Sequence, residues 1–227
     1  MKAVILAAGK GTRLRPLTYD TPKPLIKVRG KTLLEYNLEK LPPEIEEIII
    51  VVNYLKEKII DYLGKEFQGK KIRYVVQEEM LGTGQAVKIC EPFLKDRFLV
   101  LMGDDIYDQR DLEKCLNKDN CLVVKEVQGG FNGGRIELDK KGLLKEIVEG
   151  NHQGKASLVN TGLCVINQNF FKYELVPLKD KKEFGLPQTI AKMAPDHPVE
   201  IEKAYFWQQI NDLEGLNKFK ELLKTSK

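Results

Sequence analysis

Short apolar runs alternate with helix-like segments along much of the chain, and this alternation constrains the fold more than any other feature. The apolar runs are Val4–Ala8, Glu47–Val52, Ile72–Gln77, Phe98–Met102 and Leu122–Lys125. Helical spacing lies between them, in Thr32–Lys40, Lys56–Gly64, Thr83–Glu91 and Asp111–Lys118. Apolar runs without polar alternation are typical of strands buried on both faces, and their alternation with helices predicts a parallel, helix-covered sheet.

The second half of the chain has a different pattern. Two short runs, Arg135–Leu138 and Leu143–Val148, flank a turn at Asp139–Gly142 and predict a β-hairpin. Leu158–Ile166 predicts a further strand. The predicted helices of this half are Asn169–Val176, Leu186–Met193 and Leu213–Leu223. We therefore predict one α/β domain over residues 1–227, with an insertion of extra strands and helices for a substrate.

The composition argues against several classes of function. The net charge is +4 with interspersed charges, which argues against a nucleic-acid partner. No apolar run approaches the roughly 20 residues that a membrane helix needs, and a glycine loop follows the first run where a cleavage site would be expected, so we predict neither a membrane span nor a signal peptide. Four cysteines without Cys-x-x-Cys spacing predict reduced thiols and a cytoplasmic location. Two histidines and two serines make a zinc cluster or a Ser–His triad an unconvincing interpretation.

The loop after the first apolar run is the most informative stretch. Gly9 and Gly11 allow the backbone to approach a ligand and to point several N–H groups at one spot, which suits phosphate oxygens. Three nearby cations are Lys10, Arg13 and Lys23. A dinucleotide fingerprint is excluded because Leu14 occupies the position of its third glycine.

The longer pattern resembles a known family. Leu6–Thr18, LAAGKGTRLRPLT, and Thr21–Leu25, TPKPL, are similar to the signature of sugar-phosphate nucleotidyltransferases, which join an NTP to a sugar 1-phosphate and release pyrophosphate. The resemblance implies a Rossmann-like three-layer α/β/α fold with a mostly parallel mixed sheet and an inserted β-rich part. It implies that residues of about 1–110 bind the nucleotide and residues of about 111–227 bind the sugar. Mg²⁺ is the implied cofactor, and an NTP and a sugar 1-phosphate are the implied partners.

The resemblance continues at Gln77–Ala86, QEEMLGTGQA, where Gln77 and the glycine turn are implied to read the base. An amide offers both a donor and an acceptor, which suits a pyrimidine imide, and this version is most similar to uridylyl- and thymidylyltransferases. We therefore expect UTP or dTTP. The same glycines also suit a plain helix start. The implied nucleotide-binding residues are Leu6, Ala8, Gly9, Gly11, Thr12, Arg13, Gln77, Gly82 and Thr83.

Three residues are implied to be catalytic. The run ending at Met102 is followed by Asp104, at the carboxyl end of a strand, where ligands of open α/β sheets bind. The resemblance makes Asp104 a magnesium ligand and places Lys23 against the α-phosphate of the NTP. Arg13, with the amides of the glycine loop, is implied to hold the β- and γ-phosphates.

On the sugar side the resemblance implies four binding residues, Gly134, Glu149, Asn160 and Thr161, but the pattern departs from the family twice. Gly150 stands where the family has a lysine that grips the sugar phosphate, and Lys155 is a nearby candidate to replace it. Gln209 stands where the family has an aspartate that binds the metal. We expect Gln209 to be the second metal ligand through its amide oxygen, with Asn211 or Asp212 as alternatives in a shifted register.

The leading hypothesis is a Mg²⁺-dependent enzyme that makes a UDP- or dTDP-sugar. One alternative is a cytidylyltransferase that acts on a small alcohol phosphate, and the segment Gln77–Ala86 speaks against it. Another is a catalytically weak or inactive protein that binds nucleotide or sugar phosphate, which the departures at Gly150 and Gln209 motivate. Because the sequence stops soon after its last predicted helix, we expect no acyltransferase domain.

Overall fold

The computed structural model describes residues 1–154, 156–179 and 181–225. The strands are β1 Lys2–Ala7, β2 Lys27–Val28, β3 Lys31–Thr32, β4 Glu47–Val52, β5 Glu66–Phe67, β6 Lys70–Val76, β7 Phe98–Met102, β8 Ile106–Tyr107, β9 Cys121–Val127, β10 Phe131–Leu138, β11 Leu144–His152, β12 Ser157–Ile166, β13 Val176–Pro177, β14 Phe184–Gly185, β15 Glu200–Lys203 and β16 Trp207–Gln208. The α-helices are α1 Leu33–Leu38, α2 Lys56–Leu63, α3 Gly82–Lys88, α4 Gln109–Leu116, α5 Leu186–Met193 and α6 Leu213–Thr225. Short 3₁₀ helices cover Thr12–Leu14, Lys23–Leu25, Glu91–Phe93 and Gln168–Lys172.

Ten of these strands form one mixed sheet. Its order is β11-β10-β12-β7-β1-β4-β6-β5, with β9 bonded to β12 and β15 bonded to β9. Strands β7, β1, β4 and β6 run parallel, whereas β12 runs antiparallel to β7 and begins an antiparallel part with β9, β10 and β11. The α/β prediction is confirmed. The sheet is more evenly mixed than we predicted, because the β10–β11 hairpin and β12 extend the central sheet itself.

Two cores sandwich the sheet, because the central strands are apolar on both faces. In β1, Val4 and Leu6 face the core that α3 and α5 cover, while Ala3 and Ile5 face the core beneath α1, α2 and α4. Burying an Ile or Leu side chain fully contributes about 1.5–3 kcal/mol. This arrangement is the predicted three-layer α/β/α architecture.

A third, smaller core holds the loop after β1 against the end of the chain. Leu216 and Phe219 of α6 pack with Leu14, Ile26 and Ile210. The rings of Tyr36 and Phe219 meet edge to face with centroids 5.1 Å apart. The packing therefore brings Ile210 against Leu14 and Ile26 of the segment that follows β1.

One predicted helix is wrong. Asn169–Val176 was expected to be helical, but the chain forms only the 3₁₀ turn Gln168–Lys172 and then extends from Tyr173 into β13. Phe170 and Phe171 are both buried within the 3₁₀ turn, and the chain is already extended at Tyr173. Pro177 disfavours a helical conformation at the residue before it, which limits the turn further.

Candidate active site

Two cavities open at the carboxyl ends of the parallel strands and share Thr83, Met102 and Asp104 in their linings. The first, of about 270 Å³, is called here the glycine-loop cavity, and its lining includes six predicted nucleotide-binding residues: Leu6, Ala8, Gly9, Gln77, Gly82 and Thr83. The second, of about 220 Å³, is the tryptophan cavity, and its lining includes Asp105, Asn160, Thr161, Trp207, Gln209 and Asn211. A larger cavity, of about 740 Å³, lies beside Met1, Lys2 and Phe98 at the opposite end of the sheet, and its lining includes none of the predicted site residues.

Gly11 shapes the loop that follows β1. Its φ is +59°, and a Cβ at this position would lie 3.0 Å from both Lys23 Cβ and Thr18 Cγ2. The Thr18 hydroxyl and the Leu14 amide donate to the Gly11 carbonyl at 2.8 and 2.9 Å. The close approach therefore needs glycine, and it seats the loop directly on Lys23. Thr12 and Arg13 are exposed beside it and lie outside both cavity linings.

Lys23 and Asp104 form an ion pair where the two cavities meet. Lys23 Nζ lies 2.6 Å from Asp104 Oδ2, and the two side chains are 8% and 23% exposed. Gly103 positions the carboxylate, because its amide donates to the Leu6 carbonyl at 2.9 Å and a Cβ would lie 3.1 Å from that oxygen. The turn after β7 and the 3₁₀ helix Lys23–Leu25 thus bring together two of the three predicted catalytic residues, of which Asp104 lines both cavities and Lys23 neither. The third, Arg13, lies exposed on the adjoining loop.

Gln77 is 4% exposed at the end of β6, and its orientation follows from its partners. Its Nε2 donates to the Gly82 carbonyl at 3.0 Å and to Gln85 Oε1 at 2.7 Å. A backbone carbonyl can only accept, so the amide nitrogen must face it. Both side-chain N–H groups are therefore used within the protein, which leaves the amide oxygen to accept from a ligand.

The turn that precedes α3 is held by the second half of the chain. Gly82 has φ +87°, and a Cβ there would lie 2.6 Å from the Phe184 carbonyl oxygen. The Phe184 amide donates to the Leu81 carbonyl at 2.7 Å. Leu178 and Glu183, on the β13–β14 connection, complete the lining of the glycine-loop cavity. Sequence analysis missed both residues because strands of two residues leave no readable pattern.

Gly134 and Glu149 face each other across β10 and β11. A Cβ at Gly134 would lie 2.8 Å from Glu149 Oε1, so glycine makes room for this carboxylate. Gln188 Nε2, on α5, donates to the same oxygen at 2.9 Å. The structure therefore brings these two predicted sugar-binding residues together, but outside the lining of the tryptophan cavity. Lys155, the candidate phosphate ligand, lies outside the described residues.

A bulge in β12 separates the other two predicted sugar-binding residues. Asn160 is half-buried and lines the cavity, and its Oδ1 accepts from the Gly162 amide at 3.2 Å. The Thr161 hydroxyl instead donates to the Val123 carbonyl at 2.7 Å, and Thr161 is 2% exposed. The register shifts between Asn160 and Cys164. Because a bulge re-aims side chains, the Thr161 hydroxyl serves the sheet while Asn160 faces the cavity.

Two buried carboxylates hold the segment that carries Trp207. Asp105 is 5% exposed and accepts from Trp207 Nε1 at 3.1 Å and from the Ile210 amide at 3.3 Å. Burial and the neighbouring carboxylate of Asp104 raise the pKa of Asp105 to about 7. Asp111 is 1% exposed and accepts from the amides of residues 205 and 206 at 2.8 and 3.2 Å. Sequence analysis assigned neither residue a function, because bonds to amides about 100 residues away leave no local signal.

Asp104 and Gln209 are the predicted metal ligands, and both line the tryptophan cavity. No group of three His, Cys, Asp or Glu side chains suited to a metal occurs among the described residues. Mg²⁺ is commonly held by one or two carboxylates together with substrate phosphates. One carboxylate, one amide oxygen and the phosphates of two substrates therefore fit its preferences.

Comparison with known proteins agrees with this geometry. The family model described as nucleotidyl transferase matches residues 2–224. The bifunctional protein GlmU of Methanocaldococcus jannaschii is 35% identical over 96% of this chain and 54% of its own length. The UTP–glucose-1-phosphate uridylyltransferase AglF of Haloferax volcanii is 32% identical over 84% of this chain and 82% of its own. The chain thus spans about half the length of the GlmU relatives that it matches.

The fold also matches solved structures. The CTP:phosphocholine cytidylyltransferase LicC of Streptococcus pneumoniae superposes with a TM-score of 0.76 at 25% identity, covering 98% of each chain. No helix in the described part of the chain is long and apolar enough to cross a membrane.

Proposed function

The chain belongs to the nucleotidyl transferase family, and we propose that it transfers the nucleotidyl group of an NTP to a sugar 1-phosphate, with release of pyrophosphate. The family membership confirms the resemblance seen in the glycine loop. The observation that carries the proposal is that the two cavities share Asp104, whose carboxylate pairs with Lys23. A transfer between two phosphorylated substrates needs adjacent sites with a cation at their junction, because the two anions repel each other.

The reaction needs no covalent intermediate on the protein. An oxygen of the sugar phosphate attacks the α-phosphorus of the NTP, and the bond from that phosphorus to the β-phosphate oxygen breaks. Lys23 pairs with Asp104 beside the junction, and from there it would neutralise charge on the α-phosphate. Arg13 and the amides of Gly9–Gly11 would hold the departing pyrophosphate. These roles follow from position, and catalysis would rest on orientation and charge stabilisation.

Asp104 and Gln209 would hold Mg²⁺ at the same junction. When bound, the ion supplies positive charge that neutralises phosphate oxygens of both substrates. Asp104 has a second task in this proposal, because its ion pair keeps Lys23 at the junction of the two cavities.

The cavity chemistry supports UTP or dTTP as the nucleotide. The amide oxygen of Gln77 is an acceptor, and it matches the N3–H of uracil or thymine. N3 of cytosine is itself an acceptor, so CTP is a poorer partner at this position. The likeness to a uridylyltransferase agrees with this preference, and the likeness to LicC keeps CTP as the alternative to test.

The test measures pyrophosphate release by the purified protein with Mg²⁺ and UTP, dTTP, CTP, GTP or ATP, each with pooled sugar 1-phosphates and with phosphocholine as a separate acceptor. We expect sugar-dependent release with UTP or dTTP and none when the sugar phosphate is omitted. Release only with CTP and phosphocholine would replace the proposal with the cytidylyltransferase alternative. If the protein binds nucleotide by calorimetry but releases no pyrophosphate under any condition, an inactive binding protein is favoured. The uncharged Gly150 and Gln209 would then explain the loss of activity.

A further inference from the structure

We propose that Asp105 is a positioning residue that holds Trp207 and Gln209 against the tryptophan cavity and thereby sets the affinity for the sugar phosphate. The inference rests on the proposed function, in which this cavity receives the sugar 1-phosphate. Asp105 also lines this cavity, but both of its carboxylate oxygens accept from the segment, so it acts through that segment. The neighbouring Asp104 lines both cavities.

Adjacent acids in the chain have different partners. Asp104 pairs with Lys23 on the glycine-loop side. The Asp105 carboxylate accepts from the Trp207 indole with one oxygen and from the Ile210 amide with the other. The main chain of Asp105 is also held, because Asn37 Nδ2 donates to its carbonyl at 2.6 Å. The carboxylate is therefore a fixed anchor for the segment that carries Gln209.

Both bonds flank Gln209. Trp207 precedes it by two residues and pairs with Tyr107 in the small β8–β16 sheet. Ile210 follows it directly and is fully buried. Gln209 is exposed between the buried Gln208 and Ile210. A single carboxylate thus ties down both sides of the residue that is the candidate metal ligand.

An amide side chain cannot replace the second acceptor oxygen of the Asp105 carboxylate. Asparagine has the same shape as aspartate but one acceptor oxygen, so one of the two N–H groups would face an NH₂ group and lose its partner. A buried donor without a partner is costly. The segment around Gln209 would shift to restore a bond, and the lining of the cavity would move with it.

The effect should be confined to one substrate. Trp207, Gln209 and Asn211 line the tryptophan cavity, and none of them lines the glycine-loop cavity. Because the displaced segment would have to return to its bonded position when the sugar phosphate binds, the cost of one lost hydrogen bond to a charged group would appear as about tenfold or more in affinity. We therefore expect Asp105→Asn to raise the Kd and KM for the sugar phosphate by about tenfold. The Kd for UTP, measured without Mg²⁺ because Gln209 is also the candidate metal ligand, should stay within about twofold of wild type.

The experiment compares Asp105→Asn with Asp111→Asn in the full chain. Asp111 is the matched control, since it is also a buried acid that accepts two main-chain N–H groups of the same segment, but it lies outside both cavity linings. Trp207 is the only tryptophan in the sequence, so its emission reports the bond directly. The binding of glucose 1-phosphate is followed by this emission, and the pooled sugar 1-phosphates are used if glucose 1-phosphate does not bind. The binding of UTP is measured by calorimetry.

We expect Asp105→Asn to shift the Trp207 emission to longer wavelength and to weaken the binding of the sugar phosphate but not that of UTP. Asp111→Asn should lower the stability of the protein without this difference between the two substrates. Equal weakening of both substrates, or the same selectivity in Asp111→Asn, would overturn the proposal. If Asp105→Asn does not fold, Trp207→Phe removes the indole N–H together with part of the ring, and the Kd values of the two substrates, measured by calorimetry, must show the same selectivity.

The outcome also separates this inference from the proposed function. A wild-type protein that releases no pyrophosphate, but whose Asp105→Asn variant loses sugar-phosphate affinity selectively, would refute transfer and retain the positioning role. An active wild type, together with an Asp105→Asn variant that binds both substrates equally well or equally poorly, would support transfer and refute the positioning role. A wild type that binds none of the pooled sugar 1-phosphates would overturn both.

Discussion

The two halves of the site are built in different ways. In the glycine-loop half, the parallel strands β1, β6 and β7 each end at the same edge of the sheet, and each is followed directly by site residues. In the tryptophan half, antiparallel strands, a bulge and a short segment near residue 207 supply the lining. In the first half, position along the chain therefore predicts position in space. In the second half, register and distant hydrogen bonds decide which side chain faces the cavity.

Gly9 and Thr161 illustrate the difference. Gly9 follows a buried strand, and it lines the cavity as its place in the sequence predicts. Thr161 lies in a motif that resembles a sugar-binding strand, yet its hydroxyl bonds to the Val123 carbonyl across the sheet. A one-residue change of register reverses the face of a strand, so a motif in an antiparallel strand identifies the neighbourhood more reliably than the functional atom.

The largest expected effect lies where the halves meet. Asp104→Asn removes the negative charge that pairs with Lys23, and we expect kcat to fall about a hundredfold or more, since a lost charge-stabilising contact costs about 3–4 kcal/mol of barrier. Pyrophosphate release measures it. Asp61→Asn, the same change on the exposed face of α2, should leave kcat unchanged. A rate for Asp104→Asn near that of wild type would remove Asp104 from the mechanism.

A smaller effect is expected where β14, in the second half of the chain, packs against the turn that lines the glycine-loop cavity. Gly82→Ala would force a Cβ to within 2.6 Å of the Phe184 carbonyl, whereas Gly142→Ala meets nothing within 4 Å at a similar φ of +79°. Both variants place an alanine at a similar positive φ, so their difference reports mainly the clash. We expect Gly82→Ala to lower the free energy of unfolding by about 1–3 kcal/mol more than Gly142→Ala in urea, and to weaken UTP binding by calorimetry. Equal effects would argue against the contact with β14.

A smaller effect distinguishes two neighbours in the bulge. Thr161→Val removes a hydroxyl that bonds to the sheet, and we expect it to lower the free energy of unfolding by about 1 kcal/mol. Asn160→Ala should instead raise the KM for the sugar phosphate by more than its effect on stability explains. Urea denaturation and steady-state kinetics on both variants measure this. If Thr161→Val instead raised the KM and Asn160→Ala only lowered stability, the Thr161 hydroxyl would have to face the ligand.

The smallest expected effect lies at α4, on the boundary between the halves. Asp108 caps this helix by accepting from the Arg110 amide, and its ion pair with Arg110 lowers the pKa of Asp108 to about 2. Asp108→Ala should cost about 1 kcal/mol of stability at pH 7. Because the pKa is lower in the folded state, this stabilisation is complete above pH 4 and declines as the pH falls toward 2. Urea denaturation at pH 7 and at pH 3 measures this change, and kcat should not change.

Much of the fold could be predicted because it depends on local pattern. The buried strands β1, β4, β6 and β7 are apolar runs, and the helices between them have clear spacing. The 3₁₀ turn at 168–172 was misread as a helix, because two adjacent buried phenylalanines resemble helical periodicity over a short window. Strand β15 was missed because Glu200–Lys203 is polar, and it forms by pairing with β9.

The sequence by itself determined the layered sheet, the glycine loop and the identity of the charged groups at the strand ends, since these follow from the order of residues along buried strands. Tertiary structure alone decided that Leu178 and Glu183 reach the glycine-loop cavity and that the Thr161 hydroxyl bonds to the Val123 carbonyl. It also decided that Asp105 holds Trp207, more than 100 residues away. These contacts join residues far apart in the chain, and a buried acceptor finds its donor only when the whole sheet is packed.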